Sequence, residues 1–179
     1  MYVELLPAPP SSSQLLLAPP SSSSQLRPQV PVCTDDPQAS GSVGCIVLRG
    51  LLANPQFTVT VVSRTESQAT FPAGVAVHKS DFSADDLHKA FAGQDVVVST
   101  LGAGGFGEQK NLVDAAVQAG VRRFIPSEFS VSSQDDAVLH LLPLFAQKKE
   151  LIEYLRTKES DTFSWTAIAT SLLLDWVRC

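Results

Sequence analysis

Two glycines near the first third of the chain have the spacing of a phosphate-binding turn. Gly41 and Gly44 are separated by Ser42 and Val43 and stand at the start of a helical pattern. Glycines at such positions let the backbone approach a pyrophosphate, and the helix N-terminus then offers unpaired N–H groups to the phosphates. The pair alone is a weak signal, and the helix and strand that follow strengthen it. Residues 41–44 are therefore the candidate phosphate loop.

Arg64 is the second candidate binding residue. It follows a β-branched run, residues 58–63, that reads as the strand after the first helix. In dinucleotide-binding folds an acidic residue in this region bonds the ribose hydroxyls of NAD, whereas an arginine suits a 2′-phosphate. Arg64 thus favours NADP(H) as the cofactor, and the alternative is a solvated arginine in a loop.

Lys148 is the candidate for proton transfer. On a helical wheel it projects from the centre of an apolar arc formed by Phe145, Leu151, Ile152 and Leu155. A lysine in such a place snorkels to water, forms an ion pair or faces a pocket. In a pocket its pKa falls, and it can then serve as a general acid or base. The pattern leaves snorkelling and catalysis both open.

Other chemistries lack their residues. The three histidines are scattered without metal-ligand spacing, so no metal site is expected, and no histidine base accompanies Ser127 and Ser130. The three cysteines show no CxxC pair and are expected to be reduced thiols in the cytoplasm. A net charge of −5 disfavours a nucleic-acid surface, and no apolar run is long enough for a membrane span.

Strand and helix patterns alternate from Ser40 onward. Strands are predicted at residues 58–63, 75–79, 95–100, 123–126 and 163–169, and helices at 41–53, 84–92, 108–119 and 144–158. Such alternation predicts an α/β fold, a doubly wound, Rossmann-like parallel sheet with helices on both faces. Ligands bind at the carboxyl ends of such strands, which adds Ser99, Thr100, Leu101 and Gly102 to the candidate cofactor site. The alternative for this Gly-rich loop is a plain connector.

The first 37 residues differ from the rest. They contain a tandem Pro/Ser repeat and are predicted to be a disordered tail, with the folded domain at 38–179. The tail is inert, binds a proline-reading domain, or is not native to the domain. Residues 30–37 hold two prolines and two aspartates, and Gln38 stands where the first glycine of the turn belongs. The first strand is therefore expected to be degenerate.

Several segments together resemble the NmrA-like and isoflavone reductase-like group of atypical short-chain dehydrogenases, and their residues resemble those of a fungal member. The matching segments include ASGSVG, VTVVSR, LVDAAVQAGVRRFIPSEFS, FAQKKELIEYL and FSWTAIATSLLLDW. The resemblance implies a Rossmann domain that binds NADPH, followed by a smaller substrate domain. By position, Gly41 and Gly44 match the phosphate loop and Arg64 the residue near the 2′-phosphate. Lys148 matches the general acid/base, and Phe129 lies near the nicotinamide.

The resemblance implies an NADPH-dependent reductase of an aromatic or enone-type small molecule. It also implies that the chain is truncated at both ends, because the first glycine is absent and most of the substrate domain would follow Cys179. Two alternatives stay open. One is a regulatory protein that senses dinucleotides and contacts a protein partner, in the cytoplasm or nucleus, without turnover. The other is a fragment without function.

Overall fold

The computed structural model describes residues 4–5, 27–34 and 42–171. Strands and helices alternate through most of this chain. In order, the elements are β1 (Glu4–Leu5), β2 (Gln29–Thr34), α1 (Ser42–Leu52), β3 (Thr58–Arg64), β4 (Ala76–Ser80), α2 (Ala84–Phe91), β5 (Val96–Ser99), a 3-10 helix (Ala103–Glu108), α3 (Gln109–Gln118), β6 (Arg123–Ile125), α4 (Asp136–Leu141), a 3-10 turn (Pro143–Phe145), α5 (Ala146–Lys158), β7 (Ser164–Trp165) and β8 (Ile168–Ala169).

Six of the described strands form one parallel sheet in the order β4-β3-β2-β5-β6-β7. The strand order runs outward from β2 to β4 on one side and from β5 to β7 on the other. The reversal between β2 and β5 is the switch point at which doubly wound sheets bind their ligands. The predicted Rossmann-like fold is confirmed. A separate two-residue pairing joins β1 antiparallel to β8.

Each face of the sheet has its own hydrophobic core, as expected for strands buried on both sides. On one face α1 packs with Leu48 against Val30 and Val61. On the other face α2, α3 and α5 pack against Cys33 and Val62. Alternate residues of one strand therefore serve opposite cores, and helices cover both faces.

The helix ends follow local rules that the sequence carries. Ser83 caps α2, since its side chain accepts a hydrogen bond from the backbone N–H of Asp86. Gly93 and Gly120, which follow α2 and α3, have φ values of +72° and +77°. A left-handed residue is the usual way to end a helix, and glycine adopts it without a steric penalty. The sequence therefore marks one end of α2 with a capping serine, and it marks the far ends of α2 and α3 with glycines.

The expectation of a degenerate first strand inside a disordered tail is wrong for Gln29–Thr34. This segment is the central strand β2, and it is buried from Val30 onward. The carbonyls of Gln29 and Cys33 accept hydrogen bonds from backbone N–H groups that flank β5, so the odd residues of β2 face β5. Pro31 is one of these, and the pairing with β5 begins only at Val32. Its missing N–H therefore leaves the ladder with β3 intact.

Smaller differences concern element boundaries. The predicted boundary between tail and domain, after residue 37, leaves the first strand of the sheet on the tail side, because that strand begins at Gln29. Most of residues 1–37 lie outside the described residues. The predicted strand 163–169 is two short strands, β7 and β8. Helix α4 was not predicted, although Asp135 caps it by accepting from the N–H of Ala137. The helices of the described ranges are all too short or too polar to cross a membrane.

The central position of β2 makes a prediction about Cys33. Its thiol is fully buried, and burial raises its pKa. In a Cys45→Ser, Cys179→Ser double variant, where Cys33 is the remaining thiol, we expect reaction with a disulfide reagent to require unfolding. The rate should rise steeply through the urea transition and be negligible before it. Labelling in native buffer at the rate of a free peptide thiol would contradict the strand assignment.

Candidate functional site

Gly44 lies where α1 comes closest to the sheet. A Cβ atom built on Gly44 would lie 3.1 Å from Thr100 Oγ1 and 3.6 Å from Thr34 Oγ1. Thr100 is itself fixed, because its hydroxyl donates to the carbonyl of Cys33 at 3.0 Å. Gly44 therefore lets the helix N-terminus approach the carboxyl ends of β2 and β5, which is the packing role of a glycine in a dinucleotide turn.

The structure describes two of the three remaining residues of the candidate phosphate loop. Gly41 lies outside the described residues. Ser42 is the first residue of α1, and Val43 follows it, half-buried. The start of α1 therefore lies beside the switch point, where its free N–H groups suit an anion. The contacts of these residues with a phosphate stay a prediction.

Three buried hydroxyls near the carboxyl edge of the sheet have no hydrogen-bond partner within the described part of the chain. They belong to Thr34, Ser63 and Ser99, near or at the ends of β2, β3 and β5, and each residue is at most 4% exposed. An unpaired buried hydroxyl costs stability and calls for a ligand or water. Together with the close approach at Gly44, these hydroxyls fit a polar ligand at the switch point.

Leu101 and Gly102 continue the chain from this edge. The Leu101 side chain is buried in the core beneath α2 and α3, and its carbonyl accepts from Ser127 Oγ at 2.7 Å. Gly102 immediately precedes the 3-10 helix that follows. The loop that sequence patterns suggested is therefore partly helical, and any contact of Leu101 with a cofactor would come from its backbone.

Arg64 is the last residue of β3 and is held on two sides. Its Nη2 donates to Glu108 Oε2 at 2.7 Å, and its guanidinium lies 5.4 Å from the centre of the Phe82 ring. The side chains of Arg64 and Glu108 are 29% and 35% exposed, so both remain accessible to a solute. Sequence reasoning missed Glu108, which shows no motif of its own.

Lys148 is buried in α5, at 4% exposure. Its Nζ donates to Ser130 Oγ at 2.8 Å and to the carbonyl of Glu128 at 3.1 Å. The rings of Phe106 and Phe145 lie 4.7 and 4.8 Å from the ammonium. The ammonium therefore does not snorkel to water. It points at the loop after β6, at the same edge of the sheet as the other candidates.

Burial shifts the pKa of the Lys148 ammonium. Removal from water lowers the pKa of Lys148 to about 8, and the negative charge of Glu128 opposes that fall. Burial in turn raises the pKa of the Glu128 carboxyl, which is 1% exposed and accepts from the N–H of Ser133 at 2.7 Å. A lysine with a pKa near 8 can hold or release a proton at physiological pH.

The loop that carries Glu128 is fixed by a residue that sequence reasoning overlooked. Gln109 is fully buried at the start of α3, and its Oε1 accepts from the N–H of Ser127 at 2.9 Å. Its Nε2 is unpaired among the described residues. Phe129, the residue expected near the nicotinamide, is half-buried and packs on the core beneath α1. The sequence signal for Gln109 was a glutamine shortly after a Gly-rich loop, since its burial is known only from the structure.

Arg64 and Lys148 belong to opposite sides of the switch point. Arg64 ends β3, whereas Lys148 contacts the loop after β6, and β2 and β5 lie between these strands. A dinucleotide laid along the carboxyl edge, with its pyrophosphate at α1, would extend toward both. The sheet thus orders the candidates as the sequence suggested, without bringing these two side chains together.

A family model described as NAD(P)H-binding matches residues 39–177, which include most of the sheet and all of the site residues predicted from the sequence. The chain belongs to this family. The assignment confirms the expected nicotinamide dinucleotide, NAD(P)H, as the ligand of the family.

Individual relatives agree with the predicted group. The oxidoreductase aprR of Aspergillus flavus is 41% identical over 140 residues, 76% of this chain and 47% of that protein. An isoflavone reductase homologue of Zea mays is 46% identical over 61 residues, 33% of this chain and 20% of that protein. The NmrA-like and isoflavone reductase-like resemblance is confirmed.

A solved structure shares the fold. The Citrobacter sp. triphenylmethane reductase complexed with NADP(H) superimposes with a TM-score of 0.65 at 23% identity, over 83% of this chain and 51% of that one. The chain spans about half the length of the relatives that it matches most fully.

The close approach at Gly44 makes a prediction with a built-in control. Alanine in place of glycine inside a helix gains about 0.5–1 kcal/mol. We expect Gly50→Ala, where a Cβ meets nothing within 4 Å, to realise this gain. Gly44→Ala should lose it and be at least about 1 kcal/mol less stable than Gly50→Ala, because Thr100 cannot move without weakening its hydrogen bond.

Urea denaturation of both variants measures this difference. Equal stabilisation by the two alanines would contradict the tight packing of α1 on Thr100.

Proposed function

We propose that this chain carries the cofactor half of an NADPH-dependent reductase that acts on an aromatic or enone-type small molecule. The observation that carries the proposal is the buried ammonium of Lys148, which is held by Ser130 and the Glu128 carbonyl at the ligand-binding edge of the sheet. A charged amine is costly to bury, and such perturbed groups cluster at functional sites.

The residues at the carboxyl edge fit the cofactor. The start of α1 beside Gly44 suits the pyrophosphate, and Arg64 suits an adenosine 2′-phosphate. The buried hydroxyls of Thr34 and Ser99 leave hydrogen-bonding capacity unused at the same edge. When bound, NADPH would supply the hydride that reduces the substrate, and the protein would supply orientation and the proton.

Lys148 would deliver that proton. Its ammonium can donate to the substrate atom that gains negative charge on reduction, and solvent then returns the proton. Ser130 and the Glu128 carbonyl fix the direction of the ammonium, and Phe106 and Phe145 shield it from water. Such shielding strengthens the electrostatic attraction between the ammonium and developing negative charge.

The substrate class rests on the relatives and on the apolar surroundings. Names such as isoflavone reductase homologue and triphenylmethane reductase describe proteins of aromatic chemistry. The aromatic rings around Lys148 favour a substrate of the same kind. The free thiols Cys33 and Cys45 suit a reducing compartment, so we place the reaction in the cytoplasm.

Replacing Lys148 separates chemistry from cofactor binding. In Lys148→Met, which keeps an unbranched chain, we expect reduction of a responsive enone to fall by about 10²–10⁴-fold because the proton donor is lost. NADPH affinity, measured by fluorescence titration, should stay within about twofold, since Arg64 and α1 are untouched.

The matched control is Lys149→Met, the next residue. Its ammonium pairs with the exposed Asp136 instead of the loop after β6, and turnover should stay near that of the parent protein. NADPH binding without turnover of any enone by the parent protein would instead support a regulatory, dinucleotide-sensing role.

The protonation of Lys148 can be followed without a substrate. We expect its Cε carbon to titrate near pH 8 in ¹³C NMR, with the signal assigned by its loss in Lys148→Met. Proton donation should accordingly weaken as the pH rises through this value. Glu128→Gln removes a negative charge that favours the ammonium, so the midpoint should move to lower pH. A midpoint near 10.5 in the parent protein, which is typical of a solvated lysine, would contradict the buried site.

A further inference from the structure

The ion pair between Arg64 and Glu108 spans the switch point of the sheet. Arg64 ends β3, and Glu108 ends the 3-10 helix that follows β5. Strand β2 lies between β3 and β5, and α1 follows β2. The 2.7 Å contact therefore joins the two flanks of the central strand at its carboxyl end, where the ligand of such a sheet binds.

Glu108 accepts a hydrogen bond from the guanidinium of Arg64, the group that a 2′-phosphate would need. One amino group of the guanidinium, Nη2, is committed to the Glu108 carboxylate, and Phe82 lies against the guanidinium. A phosphate and a carboxylate compete for the same donors, since guanidinium matches both in geometry. A phosphate that shared Arg64 with Glu108 would also meet a like charge a few ångströms away, which costs binding energy even near water.

The same carboxylate does not oppose a ribose hydroxyl. A 2′-OH can donate a hydrogen bond to a carboxylate, which is how acidic residues hold the ribose of NAD in this fold. Here the acidic group reaches the site from the loop after β5, whereas the arginine comes from the end of β3. Both determinants are therefore present together, and they are bonded to each other.

We propose that Glu108 is a specificity-determining residue that limits the preference for NADPH over NADH by competing with the 2′-phosphate for Arg64. The proposal rests on the function proposed above in one respect, namely that Arg64 faces the adenosine 2′-phosphate. It goes beyond that function in assigning a role to Glu108 and in making the cofactor preference of this chain adjustable at a single side chain.

Fluorescence titrations of the full chain with NADPH and NADH test this. In Glu108→Gln we expect the dissociation constant for NADPH to fall, because the carboxylate that competes for Arg64 and repels the phosphate is gone. The fall should be about three- to tenfold, since an exposed ion pair is weak. NADH affinity should change by less than about twofold or weaken slightly. The ratio of the two dissociation constants should therefore rise in favour of NADPH.

Three further variants identify the mechanism. Glu66→Gln removes the same charge from an exposed residue two positions after Arg64, and it should leave the NADPH:NADH ratio within about twofold. Arg64→Gln should abolish the preference, and adding Glu108→Gln to it should then give no further gain. A gain that persists without Arg64 would overturn competition in favour of direct repulsion.

The remaining outcomes are also decisive. If the parent chain prefers NADPH but Glu108→Gln and Glu108→Ala, both folded by thermal unfolding, leave the ratio unchanged, this inference fails and the proposed function stands. Weaker NADPH binding in both variants would show that Glu108 orients Arg64 for the phosphate and would likewise overturn it. If the parent chain binds neither dinucleotide, both proposals fail.

Discussion

The parallel pairing of β2 with both β3 and β5 is the constraint on which the rest of the structure depends. It places the central strand between two neighbours that are reached in opposite directions along the sheet, and so creates the switch point. Gly44 then allows α1 to settle against Thr34 and Thr100 at that point. Without this pairing the loops after β3, β5 and β6 would have no common edge, and the buried hydroxyls there would have no site to face.

The second constraint is the cost of burying charge. Lys148 lies away from water, and among the described residues its ammonium contacts a hydroxyl, a carbonyl and two aromatic rings but no carboxylate. Such partners are weaker than a carboxylate in contact, so burial prevails and the pKa falls to about 8. A contacting carboxylate would have kept the proton on the lysine. The choice of neutral partners is therefore what leaves the proton available for transfer.

The sequence predicted the alternation, most strands and the place of Lys148 on the apolar side of its helix, because hydrophobic periodicity and capping residues are local signals. It failed at β2, where Pro31 is a local signal against a strand and two aspartates and a second proline follow closely in sequence. Pro31 lies just before the start of the ladder between β2 and β5, and this can be known only from the register. Glu108 and Gln109 were missed for the same reason, because their partners Arg64 and Ser127 are distant in sequence.

These missed residues share one segment, the turn from the 3-10 helix into α3. Glu108 faces the end of β3 and bonds Arg64, whereas Gln109 faces the loop after β6 and bonds the backbone of Ser127, next to Glu128. Two consecutive residues thus contact the end of β3 and the loop after β6. A ligand along that edge would extend toward both places. Because the turn contacts both Arg64 and the loop that holds Lys148, a different position of the turn would change the surroundings of both cations. This turn is therefore the structural connection between the surroundings of the two cations, which make no direct contact with each other among the described residues.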